Sequence, residues 1–386
     1  MLRLGKAAAA WAVLALALTG CWDIKDIETT NFATAIGLDY AGGKYSVYVQ
    51  MLDFTSVAKS ESGKPAEPVP VWVGKGTGET LIEAFNDLYP TAQLRILYGQ
   101  TQAIVLSERI LEHGKRDAKD ILNRYYEMRY TPWMYGTKAP IDELFAVTPF
   151  FNLSPIVSVL IQPRESYRQL SVIPPVQMVR FASEFREPAH TVILPSLAIS
   201  KKNWKSGGTP KPLLEIDGCF AFHDQKYIGW FDKREVTGIR WTSKFTRRSP
   251  VLVRSGGNPQ ASVSLEHPRI RVQPRVKGNK VSYRYRVRLV GYVSEVLQPI
   301  PESELIRKIE EAVRAELRQT FETGLKQGAD LLHLEHELYR QNNRAWKRIR
   351  SAEATGLTAG SLEDIRVDVF LKHAGKLKYS FRAGSF

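Results

Sequence analysis

The sequence is poor in the residues that build disulfide frameworks, metal centres and common catalytic sites. It has two cysteines, Cys21 and Cys219, and seven histidines among 386 residues. Two cysteines form neither a disulfide framework nor a four-cysteine zinc site. The chain also lacks the motifs HExxH, GxSxG and GxGxxG, which mark zinc proteases, α/β-hydrolases and dinucleotide-binding folds. We therefore expect a protein that is not an enzyme and that holds no cofactor and no metal.

The apolar run near the N-terminus is too short to span a membrane. Residues 7–18 are wholly apolar and follow Arg3 and Lys6. As a helix they would rise about 18 Å, against a hydrocarbon core of about 30 Å. A short apolar run behind a basic segment is typical of a secretory signal.

This run ends in Leu18-Thr19-Gly20-Cys21, which resembles the bacterial lipobox. In a lipobox the cysteine thiol receives a diacylglyceryl group, and the signal peptide is cleaved just before it. Two acyl chains hold a protein stably on a membrane, where one chain would be marginal. We therefore expect residues 1–20 to be a lipoprotein signal peptide and Cys21 to be the lipidated first residue of the mature chain.

Positive charge is concentrated in the second half of the chain. Residues 22–200 carry 17 Lys/Arg and 20 Asp/Glu, whereas residues 201–386 carry 35 and 20. Arg284, Arg286 and Arg288 alternate with other residues, so they share one face of a predicted strand. A secreted protein does not meet nucleic acid, so we expect no nucleic-acid partner. The face is then either plainly solvated or directed to an anionic membrane surface or an acidic protein.

Three local patterns admit a functional and a structural interpretation. The glycines of residues 74–78 lie between a predicted strand and a predicted helix. Their backbone N–H groups could hold an anion, but we favour the interpretation that they allow a tight turn before the helix. His333 and His336 lie near Asp330 on a predicted helix. They are either two metal ligands on one helix face or ordinary surface side chains, and we favour the second interpretation. Cys219 lies in an apolar strand, which favours a buried, inert thiol over a nucleophile.

The pattern of elements predicts a multi-domain α+β protein. Strands and helices alternate in the first half, with a hairpin at 31–55 that turns at residues 41–43 and a helix at 117–128. Phe220 and Phe222 alternate with smaller residues in a strand near 213–222, so we expect them to share one buried face. The second half also contains long strands at 261–276 and 280–296, helices at 303–327 and about 329–349, and closing strands at 363–373 and 376–382. The helix at 303–327 carries an apolar stripe of Leu305, Ile309, Ala312, Val313, Leu317 and Phe321. The polar segment 201–212 has the composition of a linker. We therefore predict an N-terminal mixed α/β domain at 21–200, with room for two subdomains, and a linker at 201–212. The C-terminal domain at 213–386 is predicted to be a largely antiparallel sheet packed with long helices.

Three stretches together resemble a known family. The first runs from the lipobox into a strand that ends in Gly-x-Asp, and its matching residues are Cys21, Trp22, Asp23, Ile27, Glu28, Gly37 and Asp39. The second is a strand-turn-strand followed by Glu235, Thr237, Gly238 and Trp241. The third covers residues 328–349 and 365–377. Their combination and order are similar to the Ger(x)C family, the lipoprotein C subunits of spore germinant receptors.

The resemblance implies a non-catalytic subunit of a nutrient germinant receptor, needed for spore germination as a scaffold or in signal coupling. Its partners would be the polytopic A and B subunits and the membrane lipid reached through Cys21. Its place would be the outer face of the inner spore membrane in an endospore-forming bacterium. The alternative is a lipid-anchored solute-binding protein of a transporter. Such proteins usually show two repeated βαβ lobes, and the long antiparallel strands predicted here disfavour that alternative.

Overall fold

Two β-sheets, each covered by helices, make up the part of the chain that the computed structural model describes, which is residues 30–52, 69–113, 129–352 and 357–372. The lipobox with Cys21, the predicted helix at 117–128 and the predicted last strand at 376–382 lie outside these ranges. Within them, none of the helices has the length and apolar character needed to cross a bilayer.

The first sheet is mixed and has ten strands within the described residues. They are β1 (Thr30–Ala41), β2 (Lys44–Leu52), β3 (Val71–Gly78), β4 (Arg95–Leu97), β5 (Ala103–Ser107), β6 (Trp133–Thr137), β7 (Val176–Gln177), β8 (Thr191–Ser200), β11 (Leu213–His223) and β12 (Lys226–Asp232). The order along the sheet is β12-β11-β8-β6-β5-β1-β2-β3, with β4 paired to β1 and β7 to β6. The central pairs β1–β5, β5–β6 and β6–β8 are parallel. The pairs β1–β2, β2–β3, β8–β11 and β11–β12 are antiparallel. All residues of β5 are buried, as expected for a central strand covered on both faces.

The hairpin predicted near residue 42 is confirmed by β1 and β2. The turn uses Gly42 and Gly43, whose φ angles of +59° and +80° suit glycine. The glycines of residues 74–78, in contrast, do not form the predicted turn, because they lie within β3. A Cβ at Gly76 would lie 2.1 Å from the carbonyl oxygen of Ala84. These glycines therefore let a helix pack closely on the strand, and the anion-cradle interpretation is wrong because the segment is a paired strand.

Five short helices accompany the first sheet in the described ranges. They are α1 (Leu81–Asn86), α2 (Glu108–His113), α3 (Ile141–Ala146), α4 (Pro163–Gln169) and α5 (Met178–Arg186). Each buries apolar side chains, such as Ala84 and Phe85 of α1 and Leu144 and Phe145 of α3. The helices thereby place apolar cores on both faces of the sheet.

Residues 201–212, which the sequence predicts to be a linker, lie between two strands that pair with each other. They form the end of a long hairpin whose arms β8 and β11 pair antiparallel from Thr191–His223 to Ser200–Leu213. The segment carries its own small ribbon, β9 (Lys205–Ser206) paired with β10 (Thr209–Pro210). Because β11 and β12 complete the first sheet, the change from one sheet to the other falls between Asp232 and Ser249.

The second sheet contains four strands within the described residues, in the order β13-β14-β15-β16. They are β13 (Ser249–Ser255), β14 (Asn258–Lys277), β15 (Lys280–Val296) and β16 (Leu362–Lys372). The β13–β14 and β14–β15 pairs are antiparallel and β15–β16 is parallel, so the prediction of a largely antiparallel C-terminal sheet is confirmed.

The long helix α6 (Glu302–Gln327) covers one face of this sheet. Its predicted apolar stripe is confirmed, with Leu305, Ile309, Val313, Leu317 and Phe321 buried against the sheet. The helix ends at Gly328, whose φ of +82° is the left-handed cap typical of glycine. The single helix predicted after it is instead two helices, α7 (Leu334–Gln341) and α8 (Asn343–Ala352).

Candidate functional site at the junction of the two sheets

A one-turn 3-10 helix, Thr237–Trp241, connects the first sheet to the second and packs on α6. Trp241 is fully buried, and its indole N–H donates a 2.7 Å hydrogen bond to Glu316. The backbone N–H of Gly238 donates to the hydroxyl of Thr320 at 2.9 Å. A Cβ at Gly238 would lie 2.7 Å from the carbonyl oxygen of Glu316, so only glycine allows this approach.

Arg240 and Glu316 form the charged centre of this contact. The guanidinium of Arg240 donates two hydrogen bonds to the Glu316 carboxylate, at 3.0 Å and 2.6 Å, and a third to the carbonyl of Pro250 at 3.0 Å. Both side chains are largely buried, with 11% and 21% of their surfaces exposed. The family resemblance had marked Gly238 and Trp241 but neither member of this ion pair.

A second polar network joins the first sheet to α7 and α8. Asp330 donates its backbone N–H to the hydroxyl of Thr191 at 3.2 Å, and its carboxylate accepts the N–H of Glu335 at 2.7 Å. Burial raises the pKa of Asp330 to about 6. Glu335 in turn accepts the indole N–H of Trp346 at 3.0 Å and lies 3.4 Å from His223. Burial alone would lower the pKa of His223, but the hydrogen bond to Glu335 raises it above its ordinary value.

Beside this network lies a cluster of three histidines, which corrects the prediction that His333 and His336 are surface side chains. The rings of His190 and His333 stack with centroids 4.6 Å apart, and His336 meets His190 edge-on at 4.7 Å. Burial and the neighbouring His190 lower the pKa of His333 from its ordinary 6.5 to about 3. Within the described ranges, no group of histidine, cysteine or acidic side chains has the arrangement needed to hold a metal ion.

The His333→Asn variant should resist acid better than the wild-type protein. The unfolded chain takes up a proton at His333 near 6.5, but the folded chain does so only near 3, so acid favours unfolding of the wild type. Each pH unit between these values is worth about 1.4 kcal/mol, so the wild type should lose about 2 kcal/mol more than the variant between about pH 7 and about pH 4.5. Asparagine suits the left-handed backbone of His333, whose φ is +57°.

The measurement is urea unfolding of both proteins as a function of pH. The control is His267→Asn, because 41% of the His267 side chain is exposed and its φ is also positive, at +53°. Glu184, Arg180 and His190 contribute to the electrostatics around His333 and are unchanged in the variant. Parallel pH profiles for the wild type and His333→Asn would contradict this assignment.

The Gly-x-Asp sequence at the end of β1 also has a structural role. Asp39 accepts hydrogen bonds from the hydroxyl of Ser107 at 2.5 Å and from the guanidinium Nε of Arg109 at 3.0 Å. Burial opposes ionisation, but these bonds hold the pKa of Asp39 below its ordinary value. A Cβ at Gly37 would lie 2.3 Å from Ile141 of α3. The motif thus ties β1 to β5, α2 and α3.

The alternation predicted for β15 is confirmed, since Tyr283, Tyr285 and Val287 are buried while the arginines between them lie on the outer face. These arginines are not free, because Arg286 and Arg288 both lie within salt-bridge distance of Asp368, at 2.7 Å and 3.5 Å. Asp368 also pairs with Arg366, so one carboxylate serves three guanidinium groups. Directly across from β15, β14 places Arg271 opposite Arg286 and Arg269 opposite Arg288. The outer face therefore retains positive charge.

Cys219 is fully buried, and burial raises the pKa of its thiol far above the ordinary value. A thiol that remains protonated is a poor nucleophile. Its environment therefore agrees with the interpretation of an inert side chain.

Comparison with known proteins places the chain in a family. A profile described as the spore germination protein N-terminal domain matches residues 23–199, and one described as spore germination B3/GerAC-like, C-terminal, matches residues 217–371. The chain is 20% identical to spore germination protein KC of Bacillus subtilis (strain 168), over 95% of this chain and 96% of that protein. It is 21% identical to spore germination protein B3 of the same organism, over 74% of this chain and 73% of that protein. A crystal structure of the GerBC protein matches with a TM-score of 0.49 and 13% identity, covering 92% of this chain and 100% of that one.

Proposed function

Because the chain belongs to the Ger(x)C family of spore germination proteins, we propose that it is the lipid-anchored, non-catalytic subunit of a nutrient germinant receptor. The observation that carries this proposal is the match of both family regions, in order, across residues 23–371. A germination role follows from the family. Our proposal adds three points to this family role: the lipid anchor, the absence of catalysis and the identity of the partner subunits.

The anchor would be a diacylglyceryl group on Cys21, placing the protein on the outer face of the inner spore membrane. The lipobox-like sequence at residues 18–21 supports this assignment. The polytopic A and B subunits of the receptor would be its partners in that membrane. The positive outer face of β14 and β15 would favour an orientation close to anionic headgroups, where each basic residue contributes about 1 kcal/mol.

The junction suggests how such a subunit works. Because ion pairs and hydrogen bonds join the two sheets, we propose that a displacement at one sheet is transmitted to the other. The solute-binding alternative is not supported, since the described residues form one mixed sheet and one unlike, smaller sheet rather than two repeated lobes.

Replacing Cys21 by alanine should abolish lipidation and most of the germination response. Spores that make the full chain would be labelled with palmitate during sporulation, and the label on the protein and the germination rate would be measured. Cys219→Ala is the matched control, because the chain has only these two cysteines and the thiol of Cys219 is buried. The control should keep both the label and the response.

Retention of the palmitate label by Cys21→Ala would refute the lipid anchor. A normal nutrient response from an unlabelled Cys21→Ala protein would show that the anchor is dispensable. Loss of germination in a folded Cys219→Ala protein would reveal a functional thiol and would count against a non-catalytic subunit.

A further inference from the structure

A pocket of about 370 Å³ opens between the first sheet and the segment that leads into β13. Its walls come from the start of β6, from α4 and α5, and from the loop before β13. The lining residues are Trp133, Arg164, Tyr167, Arg168, Pro174, Pro175, Gln177, Arg180, Phe245 and Arg247. Its volume is within the range of small-molecule sites.

Four arginines and no carboxylate line this pocket. Two of the arginines are neutralised from outside the lining, because Arg168 pairs with Glu165 at 2.8 Å and Arg180 with Glu184 at 2.6 Å. Arg164 and Arg247 have no acidic partner within salt-bridge distance among the described residues. The pocket therefore has an excess of about two positive charges, which attracts an anion.

Aromatic rings flank the uncompensated charges. The guanidinium of Arg164 lies 5.0 Å from the ring centroid of Trp133, a cation–π distance that orients its N–H groups. Phe245 is 51% exposed although it is large and apolar. The guanidinium of Arg247 lies 3.1 Å from Nε2 of His267, which restrains the Arg247 side chain. Guanidinium groups and aromatic rings that line the same pocket suit a ligand with an oxyanion group and an apolar body.

Hydrogen bonds fix the walls of the pocket. The hydroxyl of Ser171, just after α4, accepts the backbone N–H of Arg247 at 3.0 Å, and its own N–H donates to the carbonyl of Arg248 at 2.8 Å. The hydroxyls of Tyr167 and Thr246 are 3.1 Å apart. On the other side, Met178 donates its N–H to the carbonyl of Pro132 at 2.8 Å. A pocket with walls tied in this way is formed before a ligand arrives, which lowers the entropy cost of binding.

We propose that this pocket binds a small, water-soluble organic anion, whose phosphate or carboxylate groups meet Arg164 and Arg247 while its apolar part packs against Trp133 and Phe245. The argument for this site uses neither the lipid anchor nor the family match, so its failure would leave the proposed receptor role intact.

The test is calorimetric titration of the full chain in a non-ionic detergent with four probes: phenyl phosphate, phthalate, inorganic phosphate and benzyl alcohol. Phenyl phosphate and phthalate should bind, inorganic phosphate should bind more weakly, and neutral benzyl alcohol should not bind. Arg164→Gln and Arg247→Gln should each weaken binding of the organic anions about tenfold or more. The control Arg234→Gln removes an exposed arginine outside the pocket and should bind as the wild type does.

Arg164→Lys keeps the charge but loses the planar fork, so it should bind with an affinity between those of the wild type and Arg164→Gln. It also keeps the test valid if the glutamine variant fails to fold. No binding of either organic anion to the wild type would overturn the proposal, as would equal binding by all the arginine variants. A further titration without detergent uses phosphatidylglycerol vesicles. Binding confined to these vesicles, and dependent on Arg164 and Arg247, would overturn the assignment to a soluble ligand and identify a lipid headgroup site.

Discussion

Replacing Glu316 by alanine should destabilise the protein by about 3–5 kcal/mol. The carboxylate of Glu316 accepts two hydrogen bonds from Arg240 and one from the indole of Trp241. In the variant the guanidinium of Arg240, only 11% exposed, would be left without its counter-ion in a position that water reaches poorly. The cost of that uncompensated charge exceeds the loss of the ion pair itself.

The matched control for this substitution is Glu311→Ala on the same helix. Glu311 pairs with Arg307 at 2.6 Å, but 51% of its side chain is exposed. An exposed pair one helical turn apart contributes only about 0.3–0.5 kcal/mol. Urea unfolding followed by far-ultraviolet circular dichroism would compare the two variants with the wild type. Equal, small losses in both would show that the Arg240–Glu316 pair does not hold the junction together.

The sequence identified one side of this junction and not the other. Gly238 and Trp241 lie in a stretch that the family resemblance marks, so their importance was visible before the structure. Glu316 lies on a predicted amphipathic helix, where periodicity separates apolar from polar positions. Periodicity does not show that one polar side chain has a buried partner on another element. The partner, Arg240, lies between the marked residues, but its role requires knowledge of which face of the 3-10 helix meets α6.

Composition does not distinguish a linker at residues 201–212 from the end of a hairpin. Glycine, proline and lysine are typical of linkers, and they are equally typical of the end of a hairpin. The choice between the two depends on whether the flanking strands pair with each other, as β8 and β11 do. The long strands β14 and β15 were predictable because their alternation continues over many residues.

The three-histidine cluster was missed for a related reason. His333 and His336 are three residues apart, so their closeness to each other could be predicted from the sequence. His190, the residue just before β8, stacks on His333 and meets His336 edge-on. A prediction based on one helix therefore assigned these side chains to the surface.

The other large loss of stability is expected from a substitution in strand β11, whose buried aromatic face was partly predictable from the sequence. Phe220 and Phe222 were predicted to share a buried face, and both are buried, in the same apolar core. The opposite face of the strand is also buried, since Cys219 and Ala221 belong to a second core. The ring of Phe220 lies directly on β6, where a Cβ at Gly136 would be 2.2 Å from Cδ2 of Phe220. The ring therefore occupies the space that a side chain at Gly136 would need.

Replacing Phe220 by alanine should cost about 3–5 kcal/mol of stability, because it leaves a cavity against a glycine that has no side chain to fill it. The control is Phe370→Ala, since Phe370 is on β16 and 66% exposed, and an exposed site away from packed elements should change by less than about 0.5 kcal/mol. Thermal unfolding of the two variants would separate these outcomes, with a large fall in melting temperature for Phe220→Ala alone. Phe220→Leu retains much of the apolar volume, so its loss should be smaller than that of Phe220→Ala. A wild-type melting temperature for Phe220→Ala would mean that the ring is not part of the core that joins β11 to β6.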